Sequence, residues 1–205
     1  MPTLAGAQHD LHGSTPETHH TCLVLIDLIN DFEFPRGDEL LQQAQKIAGP
    51  IASLKKRAKQ AGVPCVYAND NFGHWQSNLQ AILEHALRPQ APGREFVELL
   101  IPEPHDYFVL KPKHSAFYQT PLELLLKHLG TERLILTGVS SNSCVLCTAN
   151  DAYMRDLKLV VPENCIAACN RREHCYALEH MREMLKAEVM QSDEIDADFL
   201  SYSAQ

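Results

Sequence analysis

Short, unbroken apolar runs recur along this chain, each separated from the next by a helix-length amphipathic stretch. Residues 21–26 read TCLVLI, 107–110 YFVL, 134–137 LILT and 157–161 LKLVV. A strand with one wet face alternates apolar and polar residues, whereas a continuous apolar run suits a strand covered on both faces. Covering both faces requires helices between the strands, and such crossovers are right-handed and set neighbouring strands parallel. The pattern therefore predicts an α/β fold: a three-layer α/β/α arrangement around a mostly parallel, Rossmann-like sheet of about six strands. The chain has 205 residues, of which 45% are hydrophobic, enough for one core and short of the roughly 250–300 residues at which cores divide.

The remaining elements follow the same alternation. Helices are predicted over 39–60, 78–87, 121–128, 143–155 and 171–186, with Pro50 placed to kink or divide the first. Further strands are predicted at 63–68 and 187–190, and the acidic tail from Ser192 is expected to close over the surface. Residues 1–20 lack the basic start and apolar stretch of a signal peptide and read as a flexible arm. His19 and His20 fall within that arm. The single domain is then 21–205.

Composition narrows the partners. A net charge of −8 with scattered Lys and Arg excludes the clustered positive charge that nucleic acid requires. No run reaches the roughly 18–20 apolar residues of a membrane span. Seven cysteines, an odd count, stand at 22, 65, 144, 147, 165, 169 and 175. Cys22, Cys65, Cys165, Cys169 and Cys175 read as buried structural thiols, which points to a reducing, cytoplasmic setting rather than a disulfide scaffold.

Ligands of parallel α/β sheets bind outside the carboxyl ends of the strands. Asp27, the loop 69–75 (NDNFGHW), Lys111 and the segment Gly138–Cys144 each follow a predicted strand and are expected on one rim. Alone, Asp27 reads equally as a cap and Lys111 as a surface lysine. Together they would satisfy each other's charge and set a cation beside a thiol. Cys144 follows a strand, a glycine and a run of small polar residues, and it opens a predicted helix. Unpaired N–H groups at a helix start favour a thiolate. They also suit an oxyanion hole, where one donor is worth roughly 3 kcal/mol of barrier. Cys144 and Cys147 form a C-x-x-C, which leaves a thiol redox protein as an alternative reading.

Three segments then resemble motifs of the isochorismatase-like cysteine hydrolases, a superfamily that includes nicotinamidases and carbamoylsarcosine amidohydrolases. They are Val24–Asp27 with Asn30–Phe32, Val109–Phe117, and Leu136–Cys144, in matching order from residue 21 onward. The resemblance implies a catalytic triad of Asp27, Lys111 and Cys144. It also implies a cis peptide at Val139–Ser140 and an oxyanion hole from the backbone N–H groups of Ser140 and Cys144. The implied reaction is hydrolysis of a C–N bond in a small amide, ureido or carbamoyl substrate through a thioester. Phe32, Asn71, Phe72, Trp75, Phe117 and Val139 are the pocket candidates. No cofactor is expected. No metal is expected either, because the Asp-x-His motif of nicotinamidases is missing: Asp70 and His74 have the wrong spacing. The family suggests a homo-oligomer, a dimer or tetramer. A non-catalytic binding member of the fold is the third reading.

Overall fold

The computed structural model describes residues 18–201. Seven strands form one sheet: β1 (Thr21–Ile26), β2 (Cys65–Asp70), β3 (Tyr107–Lys111), β4 (Arg133–Val139), β5 (Lys158–Pro162), β6 (Ile166–Ala167) and β7 (Glu188–Met190). The order is β3-β2-β1-β4-β5-β7, with β6 paired to β4 beyond the end of β5, and every pairing is parallel. The strand beyond the expected six is the two-residue β6, too short to leave an apolar run.

The two faces separate by residue parity, as the pleat requires. Leu23 and Leu25 of β1, Cys65 and Tyr67 of β2, and Ile135 and Val139 of β4 pack in one core. Cys22, Val24, Ile26, Val66, Ala68, Leu134 and Leu136 pack in the other. The first core is covered chiefly by α1 (Gly37–Gln60), whose Leu40, Ala44, Ile47, Ile51, Leu54 and Ala58 recur at three- and four-residue steps. Also on that side are α2 (Leu79–Ala86), α3 (Arg94–Glu98) and α7 (Ala197–Leu200). The opposite core takes α4 (Leu122–His128), α5 (Leu146–Tyr153) and α6 (Arg171–Glu183).

Pro50 does not divide α1, which runs through it without a break. Gly49 precedes it, so the Cβ that would crowd the proline ring is missing. Helix α3 was not expected. It is one short turn that buries Phe96 and Val97. Thr18–His20 do not behave as a loose arm: the His19 N–H donates to the Leu129 carbonyl at 2.8 Å, and the His20 carbonyl accepts from Glu132 and Arg133. The rest of the expected arm, 1–17, lies outside the described residues, as does 202–205. The acidic tail does close over the body, with Ile195 and Leu200 fully buried. Cys22, Cys65 and Cys165 are buried as expected, but Cys169 is half-buried and Cys175 exposed. Cys175 lies on α6, whose buried positions are Ala177, Leu178 and Met181. No helix among the described residues is long and apolar enough to cross a membrane.

Candidate active site

The sheet order reverses between β1 and β4. Chain segments leave that point in opposite directions, which opens a crevice at the carboxyl ends of these two strands. Asp27 follows β1 there, with positive φ (51°) and its N–H on the Ala68 carbonyl at 3.0 Å. Gly138 faces Ile26 across the β1–β4 pairing. Its φ is +115°, and a Cβ at this position would lie 2.0 Å from the Ile26 carbonyl oxygen. Only glycine lets the two strand ends approach so closely. The peptide Val139–Ser140 is cis. Ser141–Val145 then make a π-helical turn, with the Val145 N–H on the Ser140 carbonyl at 3.2 Å, before α5 begins. Cys144 therefore sits inside a wide turn rather than at the first turn of a regular helix, as the sequence suggested.

Asp27, Lys111 and Cys144 converge. Lys111 Nζ lies 2.9 Å from Asp27 Oδ2 and 3.5 Å from Cys144 Sγ. Asp27 and the thiol are near enough for each to shift the ionisation of the other. Asp27 Oδ1 accepts the Asp70 N–H at 2.7 Å. Lys111 is fully buried, and it donates further to Asp70 Oδ2 at 3.3 Å and to the Lys113 carbonyl at 3.2 Å. Burying a charged lysine is costly unless it is paired and hydrogen-bonded, and here three oxygens surround it. Register makes this possible, since Asp70 and Lys111 are opposite partners on β2 and β3.

The charges set the protonation states. Burial pushes the Asp27 carboxyl upward, and Lys111 opposes it. Burial alone would lower the Lys111 ammonium, but Asp27 and then Cys144 outweigh it and raise it. Burial and the Asp27 charge together push the Cys144 thiol up to about 12, with Lys111 only partly compensating. The expectation of a ready thiolate therefore fails in the resting site. One ammonium already serves Asp27 and Asp70, and a second buried anion would be poorly compensated. Both effects favour the protonated thiol beside the Asp27 carboxyl.

The pocket candidates separate. Asn71 and Phe72 line a cleft of about 570 Å³, together with Asp31, Phe34, His74 and His85. The Asn71 N–H donates to the Lys111 carbonyl at 3.1 Å, which ties the cleft to the rim. Phe32 is buried edge-on against Phe96, with ring centroids 5.5 Å apart, and Gly93 packs against its ring. Val139 is core. Phe117 is buried in the opposite core with the Arg155 guanidinium 4.7 Å from its ring centroid, so it packs instead of lining the cleft. Trp75 is 80% exposed and encloses nothing.

Metal ligation by Asp70 does not fit the geometry. Its carboxylate is taken by Lys111 and by the Phe72 N–H at 2.7 Å, while His74 lines the cleft. Among the described residues, Asp31, Glu33 and His85 bring three ligand atoms within 4.8 Å of one another. The Arg88 guanidinium already lies against both Glu33 and His85 and supplies the positive charge there.

Two contacts at the site went unread in the sequence. Asp70 was considered only as a metal ligand, although it ends β2 on the same rim. His114 Nδ1 lies 3.6 Å from Cys144 Sγ. The signal for His114 was its place three residues after Lys111, in the polar run that leaves β3. Cys147, the C-x-x-C partner, is half-buried, and both thiols are free.

Known proteins resemble this chain in sequence and in fold. The family model described as the isochorismatase domain matches residues 21–194. The isochorismatase family protein YaaI of Bacillus subtilis is 39% identical over 173 residues, covering 84% of this chain and 94% of its own length. The solved N-carbamoylsarcosine amidase of Thermoplasma acidophilum superposes with a TM-score of 0.67 at 27% identity, covering 85% of this chain and 98% of its own. The nicotinamidase SaPncA of Staphylococcus aureus gives a TM-score of 0.64 at 25% identity, with 85% and 99% covered.

Proposed function

Since this chain belongs to the isochorismatase family, we propose that it is a cysteine hydrolase that cleaves the C–N bond of a small amide, ureido or carbamoyl compound. One observation carries the reading. Asp27, Lys111 and Cys144 are 84 and 33 residues apart in sequence, yet Lys111 Nζ lies within hydrogen-bond reach of both Asp27 and Cys144 at the sheet's switch point. The two solved relatives described above are named as amidases, which supports C–N rather than ether cleavage.

In this reading Asp27 takes the Cys144 proton as the sulfur attacks the substrate carbonyl. Lys111 stays charged, holds Asp27 in place and steadies the sulfur as it becomes anionic. The backbone N–H groups of Ser140 and Cys144 receive the developing oxyanion. Collapse of the tetrahedral adduct breaks the C–N bond, and Asp27 returns its proton to the departing amine. Water then hydrolyses the thioester. A small neutral substrate needs no charged groove, in keeping with the net charge of −8. Self-association into a dimer or tetramer belongs to the same proposal.

The test is an ammonia-release screen over ureas, carbamoyl amino acids, aromatic amides and maleamate-like amides, with Cys144→Ala as the control. Release that disappears in Cys144→Ala supports the reading. Release that persists in that variant overturns it.

A further inference from the structure

Asp27 has little left with which to activate a second proton donor. Its Oδ1 accepts the Asp70 N–H at 2.7 Å and its Oδ2 holds Lys111 Nζ at 2.9 Å, so both carboxylate oxygens are engaged. It is buried at the floor of the site, whereas hydrolysis of a thioester needs a water from the solvent side. The group that meets Cys144 from that side is His114. It is exposed, it leaves β3 on the strand end that carries Lys111, and its Nδ1 lies 3.6 Å from Sγ.

We propose that His114 is a second catalytic residue, the general base for the water that opens the thioester. The inference rests on the cysteine mechanism above and divides its labour. Asp27 moves the proton of the first half, from thiol to leaving amine. In the second half the His114 imidazole takes a proton from water through Nδ1 while the water oxygen bonds to the acyl carbon. The C–S bond breaks, the sulfur keeps the electron pair, and His114 returns its proton to Sγ. Amide and water become acid and amine, and every residue ends as it began. A general base of this kind contributes roughly 10²–10⁴-fold to its step.

The test uses p-nitrophenyl acetate as acyl donor, because nitrophenolate release reports acylation and the steady rate reports deacylation. Cys144→Ala supplies the background from the other thiols. Wild type should show a burst followed by turnover. His114→Asn should keep a burst of about one equivalent per chain, then turn over at least ~10²-fold more slowly, with the acetyl group trapped on Cys144 and visible by mass spectrometry. His114→Gln, tested alongside, should behave the same way. An unchanged steady rate in both variants overturns the proposal. So does loss of the burst in a variant with a native circular dichroism spectrum, because His114 would then serve the attack and not the water. Steady turnover in Cys144→Ala as fast as in wild type would instead overturn the cysteine reading itself.

Discussion

Lys111 keeps its charge with no contact to solvent because Asp27, Asp70 and the Lys113 carbonyl surround it. Breaking such a pair from one side leaves a buried charge without compensation, which costs about 3–5 kcal/mol. Lys111→Met should lose stability of that order in urea unfolding, and the double variant Asp27→Asn/Lys111→Met should regain much of it. The pH dependence has a definite sign. A carboxyl raised in the folded state contributes stability that is present below its unfolded value of 3.8 and is lost as pH rises through the folded value. Lys111→Met removes the cation that opposes the rise, so its stability should fall more steeply with increasing pH than that of wild type. Cys144 follows the same electrostatics. Because its thiol is pushed up to about 12, iodoacetamide at neutral pH should label the exposed Cys175 before Cys144 in the free protein. Asp27→Asn removes a negative neighbour and should accelerate Cys144 alkylation while abolishing turnover. A purely structural Asp27 would not produce those opposite effects.

At the scale of elements, β1 and β4 place Asp27 and Cys144, the proposed base and nucleophile, and the approach of the two strand ends depends on one glycine. Gly138→Ala would drive a methyl group into the Ile26 carbonyl in a backbone conformation with φ of +115°. A strained non-glycine residue costs of order 1–3 kcal/mol, and here the clash adds to it. The variant should melt earlier, and the contact between Lys111 Nζ and Cys144 Sγ should open, so that kcat falls more than the stability loss accounts for. The turn that follows has a further hold on its position. Ser141 Oγ meets His174 Nδ1 at 3.4 Å, and the Asn142 amide donates to Glu173 at 3.4 Å, tying the Cys144 turn to the start of α6. The sequence showed a helix here but not the π turn, because a one-residue widening leaves the apolar spacing of α5 almost unchanged.

For the whole molecule, the catalytic candidates and the C-terminal strap lie at opposite ends of the strands. The catalytic candidates cluster beyond the carboxyl ends. At the amino end of β4 the C-terminal segment straps the body: the Arg133 guanidinium bonds the Phe199 carbonyl and lies 4.2 Å from its ring centroid, and Arg57 reaches the Ile195 carbonyl at 3.3 Å. Leu200 is fully buried in the α1-side core. Leu200→Ala should therefore cost about 2–5 kcal/mol in unfolding experiments while leaving the rate of Cys144 alkylation unchanged.

Continuous apolar runs sufficed to predict the layered parallel sheet, since only burial on both faces tolerates them. The rule that ligands lie beyond strand ends then grouped Asp27, Lys111 and Cys144, because strand ends are visible where apolar runs stop. Those inferences use periodicity and order along the chain, which the sequence carries directly. The side-chain directions beyond the strand ends depend on register and loop path, which it does not carry. Phe117 and Trp75 show this: both follow strand ends, yet one turns into the far core and the other into water. The protonation of Cys144 depends on the same three-dimensional facts. A lysine and a helix start argue for a thiolate when counted along the chain. Burial beside Asp27 reverses that balance, because the free energy of a charge is set by everything around it.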